Sequence, residues 1–316
     1  MALARGKWVK LDQKGSGPGA RSSHAVAIVG DKVYAFGGEF IPRVPVDNRL
    51  YIFDINEETW SIADAKGDIP PPRVGVSMAA IGDAVFVFGG RDAEHKELNE
   101  LYLFDTISST WTLLPSGPPH RSYHSMAADD RRLYIFGGCG NSGRLNDLWG
   151  YDVVDKKWIE FPSPGEGVKP RGGAGLSVVA GKIWVVYGFS GMELKDVHCF
   201  DPVEGKWCEV ETGGDEKPSG RSVFSTFSYG DSILIYGGEI DPSDLGHLGA
   251  GKFADGVYGL NTRSLVWNKL EEGEESVGRP GARGWCAFGG GRKGLLIYGG
   301  NSPSNDRLGD MFLFRP

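Results

Sequence analysis

Three markers recur together along the chain about every fifty residues. An apolar run closing on a glycine doublet appears at Val33–Gly38, Val85–Gly90, Leu133–Gly138, Ile233–Gly238 and Leu295–Gly300, and a sixth copy, Ile183–Phe189, keeps a single glycine. Its glycine, taken as the first of the pair, puts the first glycines at positions 37, 89, 137, 188, 237 and 299. A tryptophan keeps step at 8, 60, 111, 158, 207 and 267, and an arginine shortly after a proline at 21, 73, 121, 171, 221 and 283. Independent markers sharing one period define a sixfold repeat, whose units bury their cores by packing on their neighbours.

Each unit reads as four short strands. In the first, Ser23–Val29 alternates, Lys32–Phe36 runs into the glycines, and Arg49–Phe53 and Thr59–Ile62 follow, the last two separated by the polar turn Asn56-Glu57-Glu58. Tight turns between alternating runs are hairpin chemistry, and they account for much of the glycine excess, 49 of 316 residues. A period near fifty with double glycine and a spaced tryptophan resembles the kelch repeat. That resemblance implies an all-β fold, a six-bladed kelch β-propeller of four-stranded blades around a central channel. The chain opens on a last-strand pattern, Trp8-Val9-Lys10-Leu11, and finishes on a third-strand pattern, Met311-Phe312-Leu313-Phe314. The N-terminal strand is therefore expected to complete the last blade and remove two exposed sheet edges. On this reading residues 1–316 form one domain without an appended adaptor.

Charge and composition exclude several classes. A net charge of −7 disfavours nucleic acid and anionic membrane as partners. No run has the length of a signal peptide or membrane span. The four cysteines, Cys139, Cys199, Cys208 and Cys286, form no Cys-x-x-Cys pair, which points to a reducing compartment, the cytoplasm with the nucleus as a further location. Gly138–Gly143 fits a phosphate-loop pattern, but a strand follows where a helix is required, so it reads as a turn. Hydrolase motifs are absent, and Trp149, Trp184 and Trp285 read as packing residues.

One unit departs from the period. From first glycine to the next marker tryptophan the distances are 23, 22, 21, 19 and 30, so the fifth unit carries about ten extra residues after Gly238. They include Glu239, Asp241, Asp244 and His247. Carboxylate and imidazole donors suit a first-row divalent metal, and the same residues equally suit a polar surface loop. The repeat arginines also have two readings: struts between blades, using five fixed donors, or a cationic ring at the channel mouth that takes a small anion or an acidic peptide.

The unit order and this loop resemble the plant nitrile-specifier, epithiospecifier and thiocyanate-forming proteins. The resemblance is carried by Gln13-Lys14-Gly15, by Gly17-Pro18-Gly19 with Arg21-Ser22-Ser23-His24, by Lys182–Phe189 and by Arg221-Ser222-Val223-Phe224. It implies action on the glucosinolate aglycone released by myrosinase, diverted toward nitriles, with association with myrosinase and Fe(II) as cofactor. The family holds iron on a Glu-x-x-x-Asp-x-x-x-His pattern. Glu239 and His247 match it; Ser243 stands at the aspartate position, leaving Asp244, or alternatively Asp241, to serve. Arg91, after the second glycine doublet, resembles the arginine that meets the sulfated group. With it, Arg21, Arg73, Arg121, Arg171, Arg221 and Arg283 are the candidate anion contacts. The other functional class is a non-catalytic interaction scaffold with the same architecture.

Overall fold

The computed structural model describes residues 6–271 and 278–316. The chain forms six blades, numbered I–VI in chain order, each of four antiparallel strands with its innermost strand along a central channel; blades I and II add a short parallel edge strand, Lys14–Gly15 and Lys66–Gly67. Those inner strands are Ser22–Val29, Ser77–Ile81, Ser125–Ala128, Gly175–Val179, Ser225–Tyr229 and Ala287–Gly291. Blade VI takes its fourth strand, Lys7–Lys10, from the N-terminus, paired antiparallel with Arg307–Arg315 through Lys7↔Arg315 and Trp8↔Phe314. The expected closure is therefore present. Among the described residues the only helical turns are two 3-10 segments, Gly165–Gly167 and Gly246–Leu248, and no helix is long and apolar enough to cross a membrane.

The tryptophan marker sits on each blade's fourth strand and packs on a third-strand partner directly opposite. Trp60 faces Phe53, Trp111 Phe104, Trp158 Tyr151 and Trp207 Phe200, each with ring centroids 5.0 Å apart. Trp267 faces Leu260 in the same register. Cross-strand aromatic pairs of this kind stabilise a sheet beyond the area they bury.

The other two markers form one joint. In every blade the arginine Nη1 donates to a carbonyl 16 residues later, at Gly37, Gly89, Gly137, Tyr187, Gly237 and Gly299. The N–H of the following glycine donates to the carbonyl of the next blade's arginine, at 2.8–3.0 Å, and Gly300 to Arg21 closes the circle. Blade IV corrects the sequence alignment: Gly188 holds the second-glycine place, and Tyr187 takes the first at φ 55. The residue after the doublet is consequently Phe189, not Ser190. The fold also sets Cys199 opposite Cys208 on neighbouring strands, a juxtaposition their spacing did not suggest; both are free thiols.

Candidate functional site

At the glycine-doublet end the channel widens into a cavity of about 320 Å³. Its wall carries the residues following the doublets of five blades: Glu39, Cys139, Phe189, Glu239 and Asn301. The blade V insertion folds over one side as a hairpin, Glu239–Asp241 with Lys252–Phe253, bringing Pro242 and Ser243 to the rim. Two long hairpins add cations. Arg144, at the start of Gly143–Asp152, lies over the Phe189 ring at 4.7 Å. Arg307, at the start of Arg307–Arg315, donates from Nη1 to Asn301 Oδ1 at 2.8 Å. Tyr123, Val223 and Trp285 form the floor.

The six repeat arginines do not line this cavity. They are buried, at most 3% exposed, and each gives its Nη1 to a joint carbonyl. Five also meet a carboxylate: Asp47, Glu100, Asp147, Asp196 and Asp310. Arg221 instead uses Ser219 Oγ, at 3.3 Å. A guanidinium so engaged acts as a strut, and this is where the anion-ring expectation and the geometry part. Arg91 also lies outside the cavity, its Nε donating to Glu97 Oε1 at 2.9 Å. The cations that do reach the cavity, Arg144 and Arg307, carry no repeat marker. Their only sequence signal is position: each begins a strand just beyond a doublet.

Burial disfavours the charged form of the acids on the wall. Burial pushes the Glu39 carboxyl up, against an opposing bond from the Arg43 N–H. Burial also raises Glu239 to about 7, with a Gly251 N–H opposing and the Asp241 charge assisting. Glu193, behind the wall, is raised to about 8 by burial, and its Oε1 accepts the Ser222 hydroxyl at 3.1 Å. With two guanidinium groups beside acids whose ionisation burial opposes, the cavity suits a small anion with an apolar portion.

A family model described as the KLHDC2/KLHL20/DRC7 Kelch-repeats domain matches residues 23–238. The N-(sulfonatooxy)prop-2-enimidothioate sulfolyase of Thlaspi arvense is 41% identical, over 98% of this chain and 97% of its own. The chain belongs to this kelch family, with the specifier-type sulfolyases. Leucine-zipper-like transcriptional regulator 1 of Homo sapiens is 30% identical over 76% of the chain, which spans 30% of that protein. Kelch domain-containing protein 3 of Bos taurus is 27% identical over 70% of the chain and 62% of its own length.

The specifier resemblance implies Fe(II) on the blade V loop, and the donors of this kelch chain test it. Glu239 and Ser243 line the cavity. Ser243 offers a neutral hydroxyl, whose Oγ accepts the Leu245 N–H at 3.1 Å. Asp241 is turned to Lys252 Nζ at 3.0 Å, and Asp244 is exposed and outside the cavity. His247 lies on the Gly246–Leu248 turn; its side chain is outside the described residues. Among the described residues no three His, Cys, Asp or Glu side chains converge. The second carboxylate of the pattern is missing, so the described donors do not fit the family's iron set.

Proposed function

We propose that this kelch protein is a specifier-type sulfolyase relative acting in glucosinolate metabolism. Its mouth cavity receives the N-sulfonatooxy anion released by myrosinase and directs it toward a nitrile. The observation that carries this reading is the pair Arg144 and Arg307 in a part-apolar cavity, in a chain 41% identical to a sulfolyase. Arg144, stacked on Phe189, offers its in-plane N–H groups to a sulfate oxygen. Such contacts strengthen as the N–O bond breaks and charge gathers on the departing sulfate, while the C–S bond breaks, its sulfur leaves as elemental sulfur and the C≡N bond forms. Burial of Glu39 and Glu239 favours their neutral forms, which lessens the repulsion a bound anion meets. Four free thiols are consistent with work in the cytoplasm.

The test is incubation with myrosinase and allyl glucosinolate, with and without Fe(II), scoring nitrile against isothiocyanate. Added protein should raise the nitrile share above the iron-only control, and Arg144→Ala with Arg307→Ala should abolish the gain. A product ratio equal to the control defeats the proposal.

Ser243 supports a second reading, a non-catalytic scaffold. Beside the mouth, Phe40, Ile41, Val44 and Val46 are 43–61% exposed within one loop of blade I, an apolar surface suited to a protein partner. Unchanged product ratios together with a partner captured by the protein and lost on Phe40→Ser with Ile41→Ser would favour it.

A further inference from the structure

Below the mouth the channel narrows to a ring. The residue two places after each repeat arginine, namely Ser23, Gly75, Tyr123, Gly173, Val223 and Trp285, is left-handed, with φ between 48 and 61. Each N–H donates to the carbonyl of the preceding blade's ring residue at 2.8–3.0 Å, and Ser23 to Trp285 closes the circle. The ring backbone is thus held by six like bonds, whatever side chain it carries. Glycine suits this conformation; a tryptophan or a β-branched valine in it is strained, and strained residues concentrate at ligand sites.

The large side chains plug the ring. Tyr123 lies over Gly75, where an added Cβ would come 2.9 Å from its ring. Val223 covers Gly173, where an added Cβ would meet it at 2.7 Å. Tyr123 and Trp285 meet edge to face with centroids 5.4 Å apart. Arg91, paired with Glu97, sits 5.9 Å from the Tyr123 centroid and braces it from the side. Tyr123, Gly173, Val223 and Trp285 border both the mouth and a second cavity of about 120 Å³ beneath, whose walls include Val26, Met78, Met126, Leu176 and Phe288.

We infer that Tyr123 and Trp285 are specificity-determining residues, setting how long a side chain an anionic substrate can carry. The inference rests on the mouth being an anion site. An anion held by Arg144 and Arg307 at the rim directs its apolar portion toward the floor. Short side chains fit above the plug, and long ones need the apolar channel that the plug closes.

The experiment uses n-alkyl sulfates from propyl to octyl as probes, with binding measured by calorimetry on the full chain. Tyr123→Gly and Trp285→Gly are made singly and together, since glycine is the residue this backbone favours. Tyr123→Ser and Trp285→Ser, which copy the residue at Ser23, serve if the glycine variants fail to fold. In the native protein affinity should rise about fourfold per buried methylene and then stop rising. In the double variants that break should move to longer chains. Binding with the same chain-length profile in both proteins overturns the plug and leaves the anion site standing. Absence of binding to either protein, or binding untouched by Arg144→Ala, overturns the anion site and the plug with it.

Discussion

Single residues in this protein work through burial. Arg121 is fully buried, with Nη1 and Nη2 on Asp147 at 2.8 and 2.7 Å and Nη1 on the Gly137 carbonyl at 3.0 Å. Arg121→Met strands those acceptors and should cost about 3 kcal/mol, read as a fall in the urea midpoint. Glu193 gives a pH signature. Its folded pKa of about 8 exceeds the unfolded value near 4.5, through burial opposed by Ser222 and Arg221 and assisted by the Glu239 and Asp241 charges. The stability it contributes is therefore full below about pH 4.5 and is lost as pH rises through 8. Glu193→Gln should flatten the melting temperature across that window; an unchanged slope assigns it to other groups. Ser243→Asp restores the missing carboxylate, and Fe(II) retained after anaerobic loading and desalting should rise. Legibility at this scale was uneven. The loop residue Glu239 was found from an interrupted period and Ser243 from the family's ligand pattern, whereas Arg144, Arg307 and Trp285 carry no pattern that separates them from ordinary surface or packing residues.

At the scale of the element, the doublet and the arginine make one device repeated six times. The second glycine is the stricter position. At Gly138, φ is 97 and an added Cβ would lie 2.7 Å from the Ser122 carbonyl, so the neighbouring inner strand would have to retreat. Gly138→Ala should cost about 1–3 kcal/mol, measured by thermal unfolding. The first position tolerates a side chain, as Tyr187 shows at φ 55, its hydroxyl donating to the Pro218 carbonyl at 3.1 Å. Glycine position alone misaligned blade IV by one residue. The constant interval of 16 from arginine to acceptor carbonyl held the correct register, because it measures the joint itself.

At the scale of the molecule, closure joins the two ends. Trp8 packs on Tyr236 of blade V at 4.9 Å and on Phe314 at 5.2 Å, holding the N-terminal strand both to its own blade and to the preceding one. Trp8→Ala should cost about 3–5 kcal/mol, visible as a lower melting temperature. Deleting residues 1–11 uncovers the edge of Arg307–Arg315 and should produce aggregation in light scattering. By itself the sequence determined the repeat, the blade count, the closing strand and the loop that breaks the period. These are legible because blade packing imposes the same residue at the same spacing six times. Only the tertiary structure decided which charges face the cavity. Chain order says when an arginine occurs, but blade geometry buries the six that recur and leaves Arg144 and Arg307 at the mouth. The ring of left-handed residues beneath them is closed by bonds between blades, and no local stretch of sequence contains such a bond.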